Sequence, residues 1–325
     1  MEGWDLQSRL GSDTGEPSME EVASWLPQPS RILLLADIHA NWHALVSVLK
    51  DAQGRYDATW FLGDVAGYGP RPMECVRFLR EHLGFRGGWV IGNHDSGVVK
   101  EYRQVLPAGT PSQEALWTWE RHREELEEES AELYKWYKEA VAPPMASPVK
   151  QKYGSGVQVF VHANLVDFVG DYSWPDNYRN RLLEDLRELT SEGNAWLLTG
   201  HTHMVNLIRF HPDRGRLEWL PITYGQSIDL AQGIYSINPG SVGQPRDGDR
   251  RAAYAILDVE HSAVTFYRVE YDVQRVQGEM QRAGYPDILI ERLWTARIPE
   301  TRKHFDNVYR REQGGLSPVM EGGME

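Results

Sequence analysis

Five apolar runs in this sequence end on residues that can hold a cation or move a proton. RILLLA gives way to Asp37-Ile38-His39, and TWFL to Gly63-Asp64. WVI is followed by Gly92-Asn93-His94-Asp95, VQVFV by His162, and AWLLT by Gly200-His201-Thr202-His203. A lone histidine at a strand end is usually structural, but five such ends without a common purpose would be a coincidence. The oxygen and nitrogen donors Asp37, His39, Asp64, Asn93, His162, His201 and His203 include no thiolate. Such a set suits borderline divalent ions: Mn, Fe, Co, Ni or Zn. Asp37/His39 and His201/His203 are i, i+2 pairs, which extended backbone would aim to one side. The chemistry indicated is a divalent-metal site.

The elements that must carry these residues are legible in the patterning. RILLLAD, ATWFLGD and GWVIGNHD read as short buried strands, with NWHALVSVLKDA and RPMECVRFLREHL as helices between them. That alternation predicts βαβ units and a largely parallel sheet core. In such a sheet the carboxyl ends of the strands form the crevice where ligands bind. A charged, aromatic-bearing helical segment, residues 112–142, then reads as an insertion between sheet strands. VQVFVHAN and AWLLTGHTH resume the sheet, and five short alternating strands (NLIRF, RLEWL, GIYSI, AAYAILDV, AVTFYRVEY) follow with antiparallel turn signals. Helices are expected at NYRNRLLEDLRELTSEG, near DVQRVQGEMQRAG and at PDILIERLWTA. The organisation expected is a polar arm over residues 1–29, one domain over 30–298 with its helical insertion at about 98–150, and a tail over 299–325.

Composition bounds the function. Forty-seven acidic against 34 basic side chains give a net charge of −13, which disfavours binding to the backbone of duplex nucleic acid. A small phosphorylated substrate stays compatible if metals or a local basic group offset the repulsion. The single cysteine, Cys75, excludes an internal disulfide and sits at helical spacing among apolar residues, as a packing residue would. No apolar run is long enough to span a bilayer and the N-terminus does not read as a signal peptide, so the expectation is a cytoplasmic protein without a membrane partner.

Taken in order, D-x-H, G-D, G-N-H-D, a strand-end histidine and G-H-x-H resemble the calcineurin-like metallophosphoesterase superfamily. The wording DIHAN, GDVAGYGP, GNHD, VHAN, GHTH and NPGSVGQPRDGD is most similar to its prokaryotic phosphodiesterase-like branch. The resemblance runs from about residue 31 to 258 and matches the insertion by position only. It implies an α/β (α+β) four-layer αββα sandwich, two mixed sheets flanked by helices. It also implies two divalent metal ions, manganese first among them. Asp37, His39 and His203 would hold one, and Asn93, His162 and His201 the other, with Asp64 bridging. His94 would stand beside the scissile phosphate and Asp95 would orient its ring.

The function so implied is phosphodiester hydrolysis of nucleotide-type or other small phosphoesters. A hydroxide shared by the two metals would attack in line, with His94 assisting the leaving group. Two alternatives belong beside it. A serine/threonine-type protein phosphatase, with a phosphoprotein as substrate, is disfavoured because Ala66-Gly67-Tyr68 and Asp95 replace the signatures expected there. A non-catalytic scaffold of the same fold would be expected to have lost ligands that are all present here.

Three further residues are candidates for contacting substrate. Asn41 could meet a phosphate oxygen or cap the helix that follows. Tyr68 could face the cleft or merely belong to a glycine-rich turn. Arg246 offers a guanidinium fork suited to phosphate, or is a surface arginine. Ser241 reads as a turn residue. Trp117, Trp119, Trp136 and Trp174 could stack a nucleobase or, as such residues more often do, pack the insertion onto its host. His43, His82, His122, His211, His261 and His304 match no motif position.

Overall fold

A computed structural model describes residues 29–82, 88–99, 112–141, 148–165 and 178–297. The arm expected at residues 1–29, the tail at 299–325, Trp174 and His304 lie outside them, Pro29 excepted.

Two six-stranded sheets form the centre. The first runs β3(Gly88–Val90)-β2(Ala58–Leu62)-β1(Arg31–Leu35)-β11(Ala252–Asp258)-β12(Ala263–Val269)-β9(Ser227–Asp229). The second runs β4(Val149–Tyr153)-β5(Gly156–Phe160)-β6(Ala195–Leu198)-β10(Ile234–Pro239)-β7(Val205–His211)-β8(Arg216–Trp219). Both are mixed. In the first, β1, β2 and β3 are parallel and β11 is antiparallel to β1. In the second, β5, β6 and β10 are parallel while β4 and β7 are antiparallel to their neighbours. The largely parallel core suggested by the strand–helix alternation is divided between two mixed sheets, as the resemblance implied.

The alternation of side chains along each strand explains the layering. Ile32 and Leu34 point between the sheets with Trp60, Leu62, Phe160, Trp196, Leu198 and Ile237. Leu33 and Leu35 point the other way, into a core shared with α1(Trp42–Ala52) and α2(Pro72–His82). Strands buried on both faces therefore read as continuous apolar runs. On the far side, Val157, Val159, Leu197 and Ile208 pack against Leu182 and Leu186 of α6(Tyr178–Glu188). Helix, sheet, sheet, helix is the resulting order. Among the described residues no helix is long and apolar enough to cross a membrane, and Cys75 is buried among core residues.

The remaining helices wall the first sheet. A short α3(Asn93–Val98) follows β3, and α7(Val273–Arg282) and α8(Asp287–Thr295) come after β12. The segment read as one inserted helix is two, α4(Gln113–Glu129) and α5(Ala131–Val141). Ser130, with φ −157° and ψ 87°, breaks the run, and its hydroxyl accepts from Leu133 N at 3.3 Å to start the second helix. Trp119, Leu126, Leu133, Tyr137 and Val141 pin both helices into the core, so this segment is a wall of the fold.

Candidate metal centre

The strand ends from the two sheets meet in one buried cluster. Ligand-type atoms of Asp37, His39, Asp64 and His203 lie within 4.8 Å of one another, as do those of Asp64, His162 and His201. Asp64 belongs to both groups: its Oδ2 is 3.6 Å from His39 Nε2 and 3.2 Å from His162 Nε2. Asn93 joins the second group, its Oδ1 lying 3.0 Å from His201 Nδ1.

The route to this convergence differs from the extended pairs expected. Asp37, His39, Asp64, His201 and His203 all have positive φ, between 48° and 63°. They account for five of the nine non-glycine residues in that region among the described residues. Left-handed backbone costs an L-residue roughly 1–2 kcal/mol, so the surrounding structure must over-determine these turns. It does so through hydrogen bonds: Asp37 N to Gly63 O at 3.1 Å, His39 N to Asp64 O at 2.9 Å, and Ala40 N to Val65 O at 2.8 Å. His201 N donates to Asp37 Oδ1 at 3.0 Å, and Ser241 Oγ donates to Asp37 O at 2.7 Å. The first turn is thereby tied to the second sheet. Gly92 leaves the space for the Asp64 carboxylate, which a Cβ there would overlap.

The imidazoles are oriented for a cation. Nδ1 of His39, His162 and His203 donates to the carbonyls of Ala66 (3.1 Å), Leu62 (2.7 Å) and Gln244 (2.6 Å). A carbonyl only accepts, so each ring carries a proton on Nδ1 and points Nε2 inward, and on the neutral rings of His39 and His203 that Nε2 is a lone pair. His39 Nε2 and His203 Nε2 then face each other at 3.0 Å. Burial holds both rings well below the ordinary histidine range, and neighbouring positive groups add to this, so no proton is available to bridge them. Asp37 Oδ2 and His162 Nε2 are buried with no hydrogen-bond partner. Burial raises Asp37 to about 8 against the pull of His162. Burial opposes a charge on His162, but Asp64 and Asp37 outweigh it and lift that ring to about 9. Unshared lone pairs, orphaned buried donor atoms and mutually dependent charges fit divalent ions in both groups.

His94 lies beside the cluster, whereas Asp95 takes a different place from the one expected. His94 is buried, its ring centroid 4.7 Å from His39 and 4.2 Å from Tyr68. Asp95 does not hold this ring. Its carboxylate accepts from the backbone N–H groups of Asp64, Val65, Ala66 and Gly92 (2.8–3.3 Å) and from Tyr137 Oη at 2.5 Å. The partner of His94 Nδ1 is Trp119 Nε1, donating at 2.7 Å. Asp95 thus shapes the Asp64 turn. The resemblance implied that Asp95 orients His94, but here helical backbone sends these adjacent side chains to different faces.

Of the tentative substrate contacts, Asn41 follows its capping alternative and not the phosphate contact. Its Oδ1 caps α1 by accepting from Ala44 N at 3.2 Å, and its Nδ2 donates to Gly243 O at 2.9 Å, so its amide serves the fold. Tyr68 does lie against the cluster, and Arg246 Cζ sits 5.8 Å from its ring centroid. The Arg246 Nε is buried without a partner, and its backbone N donates to His203 O at 3.2 Å. Trp117 packs edge-on to Tyr285, and Trp136 against the core, as packing residues. His43 pairs with Glu279 at 3.0 Å and His211 with Glu218 at 2.6 Å. His82 contacts the Phe78 carbonyl, and His261 pairs with Asp258. His122 is buried instead and brackets the Tyr68 turn: its Nδ1 accepts from Gly67 N at 3.0 Å and its Nε2 lies 2.8 Å from Gly69 O. Trp119, Tyr137, His122 and Ser241 were missed or undervalued as site residues. Only Ser241, within NPGS, carried a local signal.

Relatives of known family share this fold. Residues 31–262 match the calcineurin-like phosphoesterase superfamily domain. A metallophosphoesterase from Sphaerobacter thermophilus is 33% identical, with a TM-score of 0.64, covering 83% of this chain and 100% of that one. An uncharacterized protein of Methanocaldococcus jannaschii is 30% identical over 271 residues, 82% of this chain and 99% of its own length. A symmetrical bis(5'-nucleosyl)-tetraphosphatase of Psychromonas ingrahamii is 25% identical over 245 residues, 64% of this chain and 88% of the relative. The chain belongs to the calcineurin-like phosphoesterase superfamily and is a metallophosphoesterase, a hydrolase of phosphoester bonds.

Proposed function

We propose that this protein is a binuclear phosphodiesterase acting on nucleotide-type or other small phosphoesters. The observation that carries the reading is the pair of apposed, unprotonated nitrogens on His39 and His203, sharing a buried cluster with Asp37 and Asp64. Asp37, His39 and His203 would hold one ion, and Asn93, His162 and His201 the other, with Asp64 serving both. Such ions supply charge neutralisation and a water of lowered pKa, and manganese is the ion we favour. The chain's own residues do the rest. His94 assists the leaving oxygen at the edge of the cluster. Arg246 and the Tyr68 ring form a basic, aromatic rim that offsets the chain's net charge of −13 for an anionic substrate.

Relatives named as tetraphosphatases support dinucleoside polyphosphates as one substrate class within this reading. A substrate panel tests it. Bis-p-nitrophenyl phosphate, cyclic nucleotides, dinucleoside tetraphosphate and a phosphopeptide would be assayed with Mn, Ni and Zn. Turnover of diesters or polyphosphates above that of the phosphopeptide is expected. Preference for the phosphopeptide would move the reading to a protein phosphatase, and inertness toward all would move it to a scaffold.

A further inference from the structure

We propose that Trp119 is the positioning residue of His94: its indole N–H holds the imidazole with the proton on Nε2, so that His94 meets the phosphoester as a neutral hydrogen-bond donor. The proposal rests on the reading of His94 as the group that assists the leaving oxygen.

The geometry is direct. Trp119 Nε1 donates to His94 Nδ1 at 2.7 Å, and the two rings meet edge-on with centroids 5.4 Å apart. An indole nitrogen only donates, so Nδ1 must accept and the ring proton must sit on Nε2. The other group expected to orient this ring, Asp95, is occupied by four backbone N–H groups and Tyr137. Both residues are almost fully buried, His94 at 3% and Trp119 at 2% exposure, so water does not compete for the bond.

Space has been made for the contact from both sides. A Cβ on Gly67 would overlap His94 Nδ1, and a Cβ on Gly97 would overlap the Trp119 indole. Gly97 lies within α3, where glycine is a poorer helix former than alanine. The close approach of the indole accounts for it. His122, one helical turn beyond Trp119 on α4, fixes the Gly67 turn from the same helix. The inserted helix therefore sets both the ring and the loop facing it.

The arrangement selects among the roles open to His94. An imidazolium would carry a proton on Nδ1 and would lose the indole bond. A neutral ring can still stabilise developing charge by donating from Nε2, without transferring its proton.

Two measurements decide the matter. Histidine-selective 15N spectra of the zinc-loaded wild-type protein should show His94 with Nδ1 unprotonated and Nε2 protonated at neutral pH. The reverse pattern overturns the proposal. Trp119→Phe should lower kcat/KM by about 10- to 100-fold, by analogy with the loss of an outer partner from a metal-bound histidine, with metal content unchanged. It should have no further effect in a His94→Ala background, since contacting residues are non-additive. A change within twofold, or an equal loss in the His94→Ala background, overturns the proposal. If Trp119→Phe does not fold, site-specific replacement by benzothienylalanine removes only the N–H and keeps the shape. A wild-type protein inert toward every phosphoester would end the enzymatic reading, whereas the spectra would still settle the tautomer.

Discussion

His39 Nε2 and His203 Nε2 face each other across 3.0 Å while both Nδ1 atoms donate to main-chain carbonyls. Two buried lone pairs so placed repel unless a cation lies between them and the nearby carboxylates. Metal binding should therefore stabilise the fold. At free metal about 100-fold above Kd the gain is about 2.7 kcal/mol, a shift of several degrees in Tm by scanning fluorimetry. Asp64→Asn, which weakens both groups, should abolish that shift. A melting temperature indifferent to chelator would contradict the arrangement.

Asn93 and His94 are neighbours with separable duties. Asn93→Ala removes an oxygen beside His201 and should lower metal content together with activity. His94→Ala should keep the metals and lose turnover by about 10²–10⁴, the usual range for a positioned acid–base or donor group. Elemental analysis beside kcat separates the two. Loss of metal in His94→Ala would show that the assignment is wrong.

Asp95 holds together the turn that presents Asp64. Tyr137→Phe deletes one charge-assisted hydrogen bond and should cost about 1.5–3 kcal/mol of unfolding free energy. Asp95→Ala orphans the backbone N–H groups of Asp64, Val65, Ala66 and Gly92, and should be more damaging than Tyr137→Phe. Chemical denaturation of the two variants gives the ranking, and equal stabilities would refute it.

Asp185, which is not among the proposed metal ligands, gives a pH signature of its own. It is 2% exposed on α6, and burial raises its carboxyl to about 7, above its ordinary value near 4. Between these values the folded protein binds a proton that the unfolded chain has released, so stability falls as pH rises from about 4 to about 7. Asp185→Asn removes the ionisation. It should stabilise the protein at pH 8 by on the order of a few kcal/mol, with the advantage shrinking toward pH 4. A stability difference that is flat with pH would refute the shift.

The metal-ligand candidates could be read from sequence because each stands where an apolar run stops, a pattern visible without coordinates. The two-sheet division was less accessible. β1, β2 and β3 end their runs as β5 and β6 do, and nothing local says that they lie in different sheets. The positive φ values of Asp37 and His201 were hidden because glycine, the usual marker of such backbone, is absent at those positions. The role the resemblance gave Asp95 does not hold here, because its carboxylate is taken up by four backbone N–H groups and Tyr137. Trp119 was undervalued because it lies 25 residues from His94 and touches it only once α4 has docked. Its packing value was legible, and its hydrogen bond was not.

The most direct test of the central claim is turnover of bis-p-nitrophenyl phosphate by chelator-stripped protein as divalent metal is titrated back. The account predicts negligible rate at zero metal, a rise that saturates near two equivalents, and no recovery in Asp64→Asn. Turnover that is undiminished after stripping, or metal uptake to saturation without turnover of any phosphoester, would contradict it.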